Sequence, residues 1–373
     1  MKPNEIKLSL TTIVKNEDHV LARSIAAVKD IVDEFIYVDT GSKDKSVELI
    51  EKKVGKCYHT NWEGDYAKAR NYGVRKCTGD WILISDCDEH MTPESAKNLK
   101  KILAETPDDI WELLVRVEDY TDPSMIPTYI VYGHRLFRNH KGILWGGKGH
   151  EALTTPLNHR RTESRIVIKH DKTTSAVSPI AAKPGELAEV FVDNFLDAIK
   201  NNPKDARSMF YLANTYMGRG KLKKAIEWYL KYFEVSGWFD ERYQARYYCA
   251  RCYMFMGEFE KGREMMLDAF EERDDRNEGE IVLGEIAFKQ KKYKQALMWF
   301  ERARAKLEYC KLNGLPDTLL FLEGKAYTYE PYDWLAIVYY QIGDKKNAKK
   351  YTLEALKVLP NDERLKGNLR FYK

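Results

Sequence analysis

Two carboxylates one residue apart, Asp86 and Asp88, follow an unbroken apolar run, Trp81-Ile82-Leu83-Ile84. Thr78-Gly79-Asp80 precedes the run and Met91-Thr92-Pro93 comes after it. Such a run suits the centre of a parallel sheet covered on both faces. Ligands of open α/β sheets sit just beyond the carboxyl ends of the strands, where both aspartates lie. Two carboxylates facing one crevice repel, so the pair calls for a cation. Hard divalent cations such as Mg²⁺ or Mn²⁺ take oxygen ligands and bridge carboxylate to diphosphate. The competing reading is a pair of turn aspartates capping a helix that starts near Pro93.

Other reactive side chains occupy comparable positions. Asp39 ends the strand-like stretch Glu34 to Val38, and Asp44 falls in the first turn of the next helix, where it could serve only as a cap. In the helix that Asp65 would cap, Tyr66, Ala69, Arg70, Gly73 and Val74 have the spacing of an inward stripe. A buried arginine needs an anion. Arg70 is therefore expected to pair with Asp65 or Asp86, or to face a phosphate. Downstream, Gly142, Gly146, Gly147 and Gly149 precede His150 and Glu151. Glycines at this density allow a backbone to approach a ligand closely, or form a flexible hairpin tip.

The elements that position these residues alternate. Leu8 to Val14 reads as a strand, and a helix opening at Lys15-Asn16-Glu17-Asp18 carries Leu21, Ile25 and Val28 on one face. The strand at 34–38, a helix with Val47, Ile50 and Val54, and a candidate strand at 57–62 follow. This βαβαβ pattern predicts a parallel sheet with right-handed crossovers. Asp109 to Tyr120, Thr128 to Arg138 and Arg165 to Lys169 read as further strands.

The segments Thr12 to Glu17, Asp33-Glu34, Val38 to Asp44, Trp62 to Asn71 and Gly79 to Glu89 together resemble the family 2 glycosyltransferases, in order and spacing, over roughly the first 170 residues. The resemblance implies a GT-A fold, a nucleotide-binding α/β sheet, and transfer of a sugar from a nucleoside diphosphate donor, with a UDP-sugar as first expectation and Mn²⁺ or Mg²⁺ as cofactor. It implies that Thr12, Val14, Asn16, Glu17, Asp39 and Asp65 line the donor site, that Arg70 holds the donor, that Asp86 meets the ribose or the metal, and that Asp88 meets the metal. It makes Glu151 the candidate general base and His170 the second metal ligand, with His150 competing for the metal. Inversion at the sugar is likewise only implied. Cys87 stands where the family usually has a small residue or Ala.

From Lys172 to Glu186 the composition turns to Ser, Thr, Ala and Pro, a linker signal. Beyond it the pattern is helical and repeats: Leu212-Ala213, Cys249-Ala250, Leu283-Gly284 and Leu335-Ala336 each open a similar series of small and aromatic residues. The first three recur at a period of roughly 35 residues, and the fourth follows a longer connection; the series resembles tetratricopeptide repeats. The expected domains are 1–175 for the transferase, 176–200 for a linker and connecting helix, and 201–373 for an all-α repeat domain. This layout is similar to that of bacterial peptide S- and O-glycosyltransferases of the glycocin type. A peptide, glycan or other biopolymer acceptor and a homodimer through the repeats are the expected partners.

Composition narrows the classes. At 44% hydrophobic and 12% aromatic the 373-residue chain can build substantial cores. A net charge of +4, from 61 basic and 57 acidic residues, gives little support to a nucleic-acid acceptor. The residues from Met1 to Lys7 show no apolar signal region, and no run approaches a membrane span. The six cysteines are scattered, and Cys249-x-x-Cys252 lies within a helical pattern without a second pair, so packing is expected there and a cytoplasmic location overall. Two alternatives are a non-catalytic scaffold with a decayed transferase domain and a D-x-D phosphatase. The latter places its carboxylates on the first strand, whereas here about 85 residues of βαβ pattern precede them.

Overall fold

The computed structural model describes residues 2–121, 126–147, 152–156, 160–172, 186–316 and 320–372. The chain forms two compact units: Met1–Pro123 with Ile130–Pro184, and Ser124–Tyr129 with Gly185–Lys373.

The first unit alternates as expected through β1 (Leu8–Val14), α1 (Asp18–Val28), β2 (Glu34–Asp39), α2 (Ser46–Val54), β3 (Cys57–His59), α3 (Tyr66–Val74) and β4 (Trp81–Ile84). A short β5 (Glu89–Met91) and α4 (Pro93–Glu105) follow, then β6 (Ile110–Tyr120), β7 (Tyr129–Arg138), β8 (Leu144–Gly146), β9 (Ala152–Thr154) and β10 (Arg160–Asp171). The main sheet runs β3-β2-β1-β4-β7-β6-β10-β5, while β8 and β9 form a separate hairpin. The parallel sheet expected from the alternation is present in β1 to β4. Beyond it the sheet is mixed: β7 runs antiparallel to β4, and β5 antiparallel to β10. Further along the same sheet, β10 pairs parallel with β6.

The run 81–84 is buried along its whole length. Trp81 and Leu83 join the core shared with α1 and α4, whereas Ile82 and Ile84 join the opposite core with Ala67 and Val74 of α3. This two-sided cover is why the run is apolar without alternation. Tyr66 departs from the expected inward stripe. It is 36% exposed in the first turn of α3 and meets the Trp62 ring edge-on at 4.8 Å.

The second unit is helical. After α5 (Glu186–Asn201) come α6 (Ala206–Gly218) with α7 (Leu222–Val235), α8 (Phe239–Phe255) with α9 (Phe259–Glu272), α10 (Glu278–Lys289) with α11 (Tyr293–Asn313), and α12 (Glu330–Gln341) with α13 (Lys345–Val358), then the short α14 (Glu363–Asn368). The four anticipated repeats coincide with these four packed pairs. Ala213, Ala250, Ala336 and their counterparts Ala225, Ala269, Ala303 and Ala355 are buried at the helix crossings. A side chain at Gly284 would strike the Phe300 ring, which stacks on Trp334 with centroids 5.1 Å apart. Cys249 and Cys252 are buried thiols inside α8, as packing requires. The longer connection before α12 holds a two-residue strand, β11 (Leu322–Glu323), and a 3₁₀ turn, Gly324–Tyr327. Among the described residues no helix is long and apolar enough to cross a membrane.

Gly79 sets how closely the start of β4 approaches β1. A Cβ there would lie 2.7 Å from the Lys7 carbonyl oxygen and 2.9 Å from the Ser9 amide nitrogen. Both are backbone atoms of the neighbouring chain and have no side-chain freedom to yield. Gly79→Ala should therefore cost about 1–3 kcal/mol, the range for overpacking. Hydrogen exchange at the β1 and β4 amides would register it, and unchanged protection there would refute this packing.

Candidate functional site

The parallel register brings the strand ends together. Val14 pairs with Asp39 and Thr11 with Ile84, so the residues following β1, β2 and β4 emerge at one edge of the sheet. Thr12, Val14, Asn16 and Asp39 are all buried at this edge. Asn16 takes a left-handed backbone, φ 60°, and clasps the loop after β2. Its amide donates 2.9 Å to Ser42 Oγ, and its Oδ1 accepts from Lys43 N at 2.7 Å. Asp39 accepts from the amides of Gly41 at 3.1 Å and Ser42 at 2.9 Å, and Asp44 accepts from those of Asp18 and Ser46. These bonds explain why Asp and Ser recur in the loop: each satisfies backbone donors that the turn leaves open. Asp65 caps α3 through Lys68 N at 3.0 Å, as its position predicts.

The two carboxylates of the pair have different surroundings. Arg70 Nη2 donates to Asp86 Oδ1 at 2.9 Å, one of the partners its spacing allowed. Arg135 of β7 reaches the other oxygen at 3.6 Å. Burial alone would raise the Asp86 carboxyl, but the Arg70 and Arg135 guanidiniums hold it well below the usual carboxylate range. Arg135 is itself fixed by Glu89, with contacts of 2.7, 3.1 and 3.2 Å, and Glu89 Oε2 accepts from the Asp86 amide at 3.0 Å. Between the aspartates, burial pushes the Cys87 thiol well above its usual range, with Glu17, Asp86 and Asp88 acting in the same direction.

Asp88 faces an imidazole instead. His170 Nε2 lies 3.1 Å from Asp88 Oδ2, while its Nδ1 lies 2.9 Å from Asp119 Oδ1, and Lys172 Nζ donates to the other Asp119 oxygen at 2.8 Å. Burial alone would lower the His170 pKa, but hydrogen bonds to Asp119 and Asp88 raise it to about 10. Burial would likewise raise Asp119, and His170 and Lys172 hold it low. Glu17 lies nearby. Its pKa is raised to about 7 by burial and then by the charges of Asp88, Asp44 and Asp86. The arrangement fits a hard divalent cation: a carboxylate and an imidazole nitrogen converge, and a second carboxylate orients the imidazole from behind. Among the described residues no larger group of metal-ligating side chains gathers, and Asp86 is engaged by arginines.

α3 also fixes the hairpin beside the site. Asn71 Nδ2 donates to the Trp145 carbonyl and its Oδ1 accepts from the Trp145 amide, both at 2.8 Å, while the Arg70 guanidinium lies over the indole at 5.3 Å. Adjacent residues Arg70 and Asn71 thus tie one helix to both the aspartate pair and the hairpin. His150 and Glu151 lie outside the described residues. Sequence reasoning did not single out Glu89 or Trp145 and took Arg135 only as part of a strand. The available signal was an arginine inside a buried strand, which demands an acid, and an acid directly after the aspartate pair.

Residues 9–153 match the family described as Glycosyl transferase family 2. They form a family 2 glycosyltransferase domain. Residues 194–227 match the tetratricopeptide repeat, and 278–373 match the prolyl 4-hydroxylase peptide-substrate-binding domain. The mixed α/β sheet is thus followed by an all-helical tetratricopeptide-like unit. A TPR repeat-containing protein of Synechococcus elongatus is 29% identical over 231 residues, 60% of this chain and 55% of that protein. An uncharacterized glycosyltransferase of Rickettsia bellii is 33% identical over 128 residues, 33% of this chain and 43% of that protein. The SPbeta prophage-derived glycosyltransferase SunS of Bacillus subtilis is 26% identical over 154 residues, 40% of this chain and 35% of that protein. The chain therefore spans about half or less of the length of these relatives.

The Glu89–Arg135 pair gives a direct test of how the aspartates are held. Removing one partner of a buried ion pair costs about 3–5 kcal/mol because the other charge is left uncompensated, whereas replacing both by apolar groups costs far less. Glu89→Leu should therefore lower the unfolding free energy of the first unit more than Glu89→Leu combined with Arg135→Met. A double variant as unstable as the sum of the singles would show that the two side chains act independently.

Proposed function

We propose that this protein is a metal-dependent glycosyltransferase that moves a sugar from a nucleoside diphosphate donor, first a UDP-sugar, to a peptide acceptor. The observation that carries the reading is the convergence of Asp88 and His170 beside Asp86 at the strand ends of a family 2 domain. Thr12, Val14, Asn16, Glu17 and Asp39 form the nucleoside side of the crevice. Asp65 holds the start of the helix that carries Arg70. Asp88 and His170 would hold Mn²⁺ or Mg²⁺, which would offset charge on the leaving diphosphate. Arg70 and Arg135 keep Asp86 ionised, so that it accepts hydrogen bonds from donor hydroxyls, and Arg70 adds positive charge near the diphosphate. Glu151 takes the acceptor proton as the acceptor oxygen or sulfur attacks the anomeric carbon, with inversion. A peptide acceptor is supported by the match of the helical unit to a peptide-substrate-binding domain. Glycans and other biopolymers are the competing acceptors, and repeat-mediated dimerisation accompanies the proposal.

Calorimetry with UDP should show tighter binding with Mn²⁺ or Mg²⁺ present, and Asp88→Ala should remove that gain while the fold persists. Equal UDP affinity in excess chelator would sink the metal role.

Glu151→Gln should lower turnover by about 10²-fold or more on a hydroxyl acceptor, with donor affinity nearly unchanged. His150→Ala should act less on turnover. Near-normal transfer by Glu151→Gln would shift the search for the base to Glu118 or Asp119.

A further inference from the structure

The first helices of stacked helix pairs line one side of the array, the side on which such arrays present an extended binding surface. Here that side is occupied at the second and third pairs by the chain's own connection, Leu320–Tyr327. Tyr247 and Arg251, one helical turn apart on α8, both donate to Glu323 Oε1, at 2.6 and 3.0 Å. The Glu323 amide donates to Glu278 Oε1 at 2.9 Å. Arg276 Nη2 donates to the Phe321 carbonyl, and Asn277 Nδ2 donates to the Ala326 carbonyl at 2.6 Å. The Tyr327 hydroxyl accepts from the Asn277 amide at 3.0 Å and donates to Glu278 Oε2 at 2.9 Å. Leu320, Leu322, Glu323, Ala326 and Tyr327 are all buried.

These contacts are those by which a groove recognises a peptide: main-chain amide and carbonyl groups are read by fixed side chains, one carboxylate is read by a cation and a phenol, and apolar side chains are buried beside them. Arg276 is 0% and Glu278 1% exposed. Their ion pair of 2.9 Å leaves each with further hydrogen-bonding capacity that the segment takes up. We propose that Leu320–Tyr327 is a built-in ligand. The α8–α10 side is a receptor for a carboxylate-bearing peptide that enters as a short strand and turns after its acidic residue, and the protein fills it itself, holding peptide partners off this face. This places any peptide contact of the helical unit outside the second and third pairs.

The test uses the full chain with residues 320–327 replaced by eight Gly and Ser residues, and a fluorescent peptide of sequence Leu-Phe-Leu-Glu-Gly-Lys-Ala-Tyr. Anisotropy should show the replaced protein binding the peptide about 100-fold more tightly than the natural chain, whose tethered copy competes at an effective concentration near the millimolar range. Arg251→Met in the replaced protein should weaken binding at least about tenfold, as for a lost charge-assisted hydrogen bond. Equal binding by both proteins, or none by a replaced protein that keeps its helical circular dichroism, overturns the proposal. If the replaced protein does not fold, hydrogen exchange on the natural chain decides. Protection of the amides of residues 322–327 comparable to α8 upholds the built-in ligand, and exchange at the rate of free chain refutes it.

Discussion

Two carboxylates cannot share the end of a buried strand unless their charge is answered, and the first unit is arranged around how that is done. Asp86 and Asp88 receive opposite treatments. Asp86 is answered by two guanidiniums that stay charged at any ordinary pH. Asp88 is answered by an imidazole, a group that can give up its charge. The permanent half needs support from a distance: Arg135 comes from a strand that enters the sheet late in the chain, and Glu89 holds it there. The exchangeable half needs a second carboxylate, Asp119, from yet another strand. The antiparallel entry of β7 beside β4 is thus part of the site's electrostatics as well as of the sheet.

The helical unit meets a similar constraint with a different solution. Arg276 and Glu278 lie between the second and third pairs, away from water, where an unpaired charge would be costly. The chain returns a later segment that meets them with carbonyl, amide and hydroxyl groups. Along the rest of the array the helices approach through alanine and glycine, and aromatic rings fill the space between them.

What the sequence disclosed follows the range of the interactions. Strand β4, the helix after Pro93 and the four helix pairs are governed by local apolar patterns and turn residues, and their positions were legible. Arg70 was legible as a buried cation, but only the fold brings the Asp86 carboxylate within 2.9 Å of it. The parallel pairing of β1 to β4 was legible from their alternation with helices; the reversal at β7 and the parallel pairing of β10 with β6 depend on contacts that no local period encodes. Glu89 carried no signal beyond its place after the aspartates, because its partner is 46 residues away. Residues 320–327 have neither strand nor helix periodicity, and their burial comes from distant contacts with α8, the start of α10 and residues 127–129. Glu151 and His150 lie outside the described residues, so their roles rest on the sequence resemblance.

Cys87, enclosed between the aspartates, gives the site a chemical clock. Its thiol is buried and held protonated, so an alkylating reagent can reach it only when the end of β4 opens. Cys310 in the helical unit is only half-buried and should label ahead of the other five, providing an internal standard in the same sample. The labelling rate of Cys87 relative to Cys310, read peptide by peptide in a mass spectrometer, would convert occupancy of the crevice into a slowing of one covalent reaction, with no labelled sugar and no knowledge of the acceptor.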